Sequence, residues 1–231
     1  LTLDDFPPIT RPPSDAPRVC VIDSGIASGH PMLSPAVGES ISVPASLGSP
    51  VDEHGHGTQV AGLALYNDIS ECITNRQFSP SLWVMSAKVT KIEDGPFGPQ
   101  MKFPDEQLIS TQMREAIEYF HREHRCRVFN ISLGDERLVY NGGKPSIWAW
   151  TLDDIARKLD VIIVVSAGNN SWPALQNDDP EKAFNEHPQY LLRPDNRIIE
   201  PATAAIPLTV GSLAHSEAPR GAGGRDDVAL K

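Results

Sequence analysis

The sequence predicts an α/β domain, a central parallel sheet with helices on both faces. Three observations lead there. Stretches with strand character alternate with stretches of helical periodicity over most of the chain. One strand, Val161-Ile162-Ile163-Val164-Val165, is an unbroken β-branched run, the mark of a strand covered on both faces. And 231 residues, 40% of them apolar and 22% charged, suffice for one large core or two small ones.

The elements follow in order. Residues 1–17 carry Pro7, Pro8, Pro12, Pro13 and Pro17 and read as an extended arm ahead of a domain over 18–231. Arg18-Val19-Cys20-Val21-Ile22 is the first strand, closing at Asp23-Ser24-Gly25. Small and apolar residues over 58–65 fit a buried helix, and 82–89 reads as a second strand. Asp94-Gly95-Pro96-Phe97-Gly98-Pro99 reads as a loop. Leu108, Ile109, Met113, Ala116, Ile117 and Phe120 then recur at helical spacing. A short strand over 127–132 precedes a second amphipathic helix marked by Trp148, Leu152, Ile155 and Leu159. After the β-branched run, residues 171–200 lose all periodicity and carry Pro173, Pro180, Pro188 and Pro194, which predicts an insertion. One more strand is expected over 206–213.

Charge and composition exclude several roles. Twenty basic against thirty acidic residues leave a net charge of −10, which repels phosphate backbones and argues against nucleic-acid binding. The basic cluster over 121–127 is interrupted by Glu123 and reads as a solvated helix end, where the helix dipole favours cations. No apolar run approaches the roughly 20 residues of a membrane-spanning helix, so no membrane partner is expected. Cys20, Cys72 and Cys126 form no CxxC pair and no disulfide framework, which suits a reducing, cytoplasmic setting.

The chemistry gathers at strand ends, where parallel sheets present their functional groups. Asp23 closes the first strand. The loop Asp52-Glu53-His54-Gly55-His56-Gly57 opens the first helix, and the β-branched strand ends in Ser166-Ala167-Gly168-Asn169-Asn170. Singly, each has an ordinary explanation: a cap, a structural histidine, a turn. Jointly they offer an acid to orient an imidazole, an imidazole to act as base, and an amide donor for an oxyanion. His54 and His56 beside Asp52 and Glu53 also suggest metal ligands. The spacing lacks the third histidine and the HExxH helix of such a site, so no metal is assigned. The better reading puts His54 near the site and has Asp52 shape the loop that presents His56.

On these residues the chain resembles the subtilisin-like serine proteases, the subtilases. Val21-Ile22-Asp23-Ser24-Gly25-Ile26 matches the motif around the family's catalytic Asp, and His56-Gly57-Thr58-Gln59-Val60-Ala61-Gly62 the motif around its catalytic His. Ser132-Leu133-Gly134 matches the segment that pairs with substrate, and Ala167-Gly168-Asn169 the oxyanion-hole Asn. Pro201-Ala202 and Val210-Gly211 match later landmarks, and the order is the family's. The resemblance implies a subtilisin-like doubly wound fold. It implies Asp23 and His56 as catalytic residues, Asn169 as oxyanion donor, and Ser132, Leu133 and Gly134 as substrate-binding residues. It admits calcium, yet no dense carboxylate loop places one.

The nucleophile is the departure. The family's serine sits in a Gly-Thr-Ser motif, and no Gly-Thr-Ser occurs in this sequence. Ser171 and Ser212 match no family nucleophile. The expectation is therefore a serine endopeptidase acting on protein or peptide substrates, whose serine lies beyond Lys231 or on a second chain. This chain alone is then expected to be inactive. Two alternatives stay open, a non-catalytic peptide-binding module and a metal-dependent hydrolase using His54, His56 and Asp52.

Overall fold

The structure is a computed structural model and describes residues 9–95, 98–169, 189–211, 214–217 and 228–230. In chain order, β1 (Arg18–Asp23) and β2 (Val37–Ser42) precede α1 (His56–Tyr66) and α2 (Ile69–Asn75). Then come β3 (Trp83–Lys88), β4 (Lys91–Gly95), β5 (Gly98–Lys102) and α3 (Ile109–His124). β6 (Val128–Ile131), β7 (Asp135–Val139), α4 (Ile147–Leu159) and β8 (Ile162–Ser166) follow. β9 (Ile199–Glu200), β10 (Leu208–Val210), β11 (Ala214–Glu217) and β12 (Val228–Leu230) complete the described elements. Six strands form one sheet in the order β10-β8-β6-β1-β3-β2, every neighbouring pair parallel. The expected α/β architecture is the observed one.

Strand parity divides the core. Cys20 and Ile22 of β1 face α3 and α4, where they meet Met113, Ile117, Phe120, Trp148, Leu152 and Ile155. Val21, between them, faces the other way with Val84, against Ala61, Leu65 and Tyr66 of α1. Helices thus cover both faces. Phe120 and Phe129 are fully buried, each stabilising the fold by about 1.5–3 kcal/mol through the apolar area removed from water. α4 starts where Ser146 Oγ accepts a hydrogen bond from the Ala149 N–H at 3.1 Å.

β8 departs from the expectation of a strand covered on both faces. Ile163 and Val165 are buried on the α3–α4 side, but Ile162 is 52% exposed on the other. Leu208 and Val210 of β10 pair with Val164 and Ser166, so they share that open face and are 58% and 53% exposed. The register Val21↔Asn130↔Val164 makes this the same face that α1 covers farther along the sheet. The β-branched run reports strand propensity, and α1 does not reach over it.

Of the 94–99 stretch expected as a loop, Asp94, Gly95, Gly98 and Pro99 belong to an antiparallel strand pair, with Lys91 opposite Lys102 and Asp94 opposite Pro99, and Pro96 and Phe97 lie outside the described residues. β2, α2 and β7 have no counterpart in the sequence reading. β2 is an edge strand whose register against β3 shifts between Val37 and Ser40. Gly38 there lies on the Met85 side chain, and the Glu39 N–H donates to Met85 Sδ at 3.3 Å. The Glu39 carboxylate accepts from the Tyr119 hydroxyl at 3.0 Å and is bonded to His124 Nε2. That pair accounts for part of the basic end of α3.

Of the expected arm, residues 1–8 lie outside the described residues. Ile9 packs on the α1-side core, and Pro13 and Pro17 carbonyls accept from Trp83 Nε1 and the Trp83 N–H at 2.8 and 2.9 Å. Of the expected insertion, 171–188 lies outside the described residues. Beyond it, 3-10 turns at Gln189–Leu192 and Pro194–Asn196 lead into β9, which pairs with β7. The strand expected over 206–213 spans Leu208–Val210, and Ser212 and Leu213 lie outside the described residues.

Candidate active site

Asp23 ends β1 fully buried, at the carboxyl edge of the sheet. Its Oδ1 accepts from the Ser24 N–H at 2.8 Å and lies 2.8 Å from His56 Nδ1. A proton on Nδ1 makes that contact a hydrogen bond to the carboxylate and leaves Nε2 as the basic nitrogen. The Asp23 bond raises the His56 pKa above its ordinary 6.5. Partial burial opposes this, and the charges of Asp23 and Asp52 add to it.

His56 is presented by the first turn of α1. Gly55 precedes it at φ 98°, a left-handed conformation suited to glycine. Asp52 binds the whole turn. Its Oδ1 accepts from Ser24 Oγ at 2.8 Å and from the His54 and Gly55 N–H groups at 2.9 Å. Its Oδ2 accepts from the Thr58 N–H at 2.9 Å and from Thr58 Oγ1 at 2.5 Å. Burial pushes the Asp52 carboxyl up, but the Thr58 hydroxyl and these N–H groups outweigh it and hold the group below 3.8. Ser24 Oγ closes the ring by accepting from the Gly57 N–H at 3.0 Å. Asp52 therefore stands where it was expected, shaping the loop. The His54 ring lies edge-on to His56, with centroids 6.4 Å apart.

Two contributors escaped the sequence reading. Ser24 joins β1, the loop and α1, and its only signal was a hydroxyl beside a strand-end carboxylate. Lys88 is 3% exposed, its Nζ donating to the Val51 carbonyl at 3.1 Å and to Glu53 Oε2 at 2.8 Å. It faces Asp23 in the β1–β3 register and ties the 51–53 loop to the sheet. A lysine inside an apolar strand was its signal, since buried ammonium groups need partners.

Ser132, Leu133 and Gly134 leave the carboxyl end of β6, the strand beside β1. Ser132 Oγ accepts from Asn130 Nδ2 at 2.8 Å, and the Leu133 side chain is buried in the core. Asn169 is exposed just past β8, the next strand along, and follows Gly168 at φ 101°. Asp23, the 132–134 segment and Asn169 thus rise from three adjacent strands, with His56 brought to Asp23 by α1. Ser171 lies outside the described residues. Among the described residues, no group of three or more His, Cys, Asp or Glu side chains is placed to hold a metal ion.

The uncharacterized protein y4bN of Sinorhizobium fredii is 48% identical over 107 residues, 46% of this chain and 24% of that protein. A psychrophilic protease of known structure matches over 91% of this chain and 57% of its own, with a TM-score of 0.54 at 19% identity. A lanthipeptide protease matches over 85% and 48%, with a TM-score of 0.51 at 22% identity. The chain therefore spans 48% and 57% of the length of these two proteins, and the likeness to them is one of fold. The sequence profile of the Subtilase family matches residues 14–220, and the chain belongs to that family.

Proposed function

We propose that this chain supplies the acid–base pair and the oxyanion donor of a serine endopeptidase. The carrying observation is the 2.8 Å contact between Asp23 Oδ1 and His56 Nδ1, in a turn fixed by Asp52 and Ser24. In this reading His56 Nε2 takes the proton of a serine hydroxyl as its oxygen attacks a peptide carbonyl. Asp23 stabilises the imidazolium, which then protonates the departing amine. The Asn169 amide donates to the oxyanion of the tetrahedral intermediate. Substrate backbone lies along Ser132-Leu133-Gly134 as an added strand. Water, deprotonated by His56, releases the acyl group.

The serine itself is proposed to come from sequence following Lys231 or from a second chain. The open apolar face of Ile162, Leu208 and Val210 beside α1 supports this, because contiguous apolar surface is costly to leave in water. A fluorophosphonate is the test. The full-length protein should label at one serine, in a peptide C-terminal to Lys231, and residues 1–231 alone should neither label nor cleave. Label on Ser171 or Ser212, or an active isolated fragment, would overturn the assignment. A full-length protein that binds peptide without labelling would be a binding module.

A further inference from the structure

We propose that Ile199 restricts the enzyme to cleavage after small residues, glycine, alanine or serine; the inference rests on the endopeptidase reading. Ile199, in β9, is 3% exposed and lies between two glycines on different segments. A Cβ on Gly134 would stand 2.5 Å from Ile199 Cδ1, and a Cβ on Gly168 would stand 2.5 Å from Ile199 Cγ1. The isoleucine side chain therefore fills the gap between the 132–134 segment and the 167–169 segment. A substrate residue with its backbone on the first segment and its carbonyl at Asn169 lies between the two. Its side chain has that gap to enter, and finds it occupied.

The plug is held in place. The Ile199 N–H donates to the Ala167 carbonyl at 3.2 Å, and Ile199 pairs with Val139 across β7–β9. Its neighbour Glu200 is buried and engaged on both oxygens. Oε2 accepts from Ser146 Oγ at 2.7 Å, and Oε1 from Thr203 Oγ1 at 2.6 Å and the Ser146 N–H at 3.3 Å. β9 is thereby clamped to the start of α4, which fixes the backbone that carries Ile199. Gly168 at φ 101° and Gly134 leave no side chain of their own to share the space. A large substrate side chain would have to displace packed atoms.

The test uses full-length protein and peptides that differ at the residue donating the scissile carbonyl: Gly, Ala, Leu or Phe. Wild type should cleave after Ala in preference to Phe. Ile199→Ala should raise the kcat/KM ratio of Phe to Ala roughly tenfold or more, since single methylenes already discriminate at that scale. Ile199→Val should fall between, and with the wild-type profile decides the matter if Ile199→Ala does not fold. Wild type that labels with fluorophosphonate yet cleaves as readily after Leu or Phe overturns this inference alone. So does an unchanged ratio in a labelled Ile199→Ala. Wild type that neither labels nor cleaves overturns the endopeptidase reading and this inference with it.

Discussion

The Cα of Gly57 sits so close to Gly25 that a Cβ there would stand 2.2 Å from the Gly25 carbonyl oxygen. It would also stand 3.1 Å from Asp23 Cβ. The residue after the histidine is thus the contact by which α1 seats against the end of β1, and it sets the His56–Asp23 separation. Gly57→Ala should push α1 outward and cost about 2–3 kcal/mol of stability by overpacking. Denaturant melts of the variant, with the NMR signal of the His56 Nδ1 proton, check this; an unchanged proton signal would refute the seating role.

His56→Ala in the full-length protein should remove nearly all peptidase activity while the fold persists, because the proposed base is lost and the sheet keeps its core. His54→Ala should cost far less. Steady-state kinetics of the two variants separate the readings. Equal losses, restored by added zinc, would favour a metal-dependent hydrolase.

Asp52→Ala removes an acceptor that takes five hydrogen bonds, from Ser24 Oγ, the His54 and Gly55 N–H groups and both Thr58 donors. The orphaned donors should cost ~2 kcal/mol of stability. Turnover should fall as well, because the His56 ring loses its fixed approach to Asp23. Thermal unfolding and kcat measured together check it, and a stability loss with intact turnover would confine Asp52 to the loop.

The pairing with Asp23 raises the His56 pKa above 6.5, which fixes the sign of two pH effects. The proposed base works unprotonated, so the acid limb of kcat/KM should lie above 6.5, and Asp23→Asn should move it down. In folding, His56 contributes its full stabilisation below its ordinary pKa and loses it as pH rises through the raised value. A pH–rate profile of wild type and Asp23→Asn tests the first. An NMR titration of the His56 ring tests the second.

If the Asn169 amide has the proposed role of oxyanion donor, Asn169→Ala should lower kcat much more than it alters KM, since that oxyanion exists only along the reaction path. Loss of such a donor in subtilisin costs about 10²–10³ in turnover. Initial-rate kinetics decide, and a change confined to KM would make Asn169 a substrate-binding residue.

What the sequence revealed of this molecule was what repeats or stands out locally. The periodicity of Met113, Ile117 and Phe120 placed α3, and the polar residues ending apolar strands placed Asp23 and Asn169. The edge strand β2 was not legible, because Val37-Gly38-Glu39-Ser40-Ile41-Ser42 is half exposed and lacks clean alternation. α2 was missed for a similar reason, being short and without a buried residue. The β4–β5 strand pair was hidden by its own composition: Gly95, Gly98 and Pro99 read as loop, though Pro99 sits within β5. At the site, Asp23, Asp52 and His56 could be named in advance. The roles of Ser24 and Lys88 could not, because each depends on a partner more than 25 residues away, a separation of 28 for Ser24–Asp52 and 35 for Lys88–Glu53.

The irregular border strand β2 bears on how copies of this protein meet. A straight, unbroken border would offer a row of free amide groups on which a second copy could template its own strand. Here the ladder to β3 slips between Val37 and Ser40, and the Glu39 amide bonds the sulfur of Met85 on β3 in place of a ladder carbonyl. The Glu39 carboxylate is meanwhile tethered to α3 through Tyr119 and His124. An interrupted ladder works against the flat, regular geometry that strand-to-strand assembly needs. With its ladder irregular and Glu39 tied to α3, this border is a poor template for the strand of a second copy.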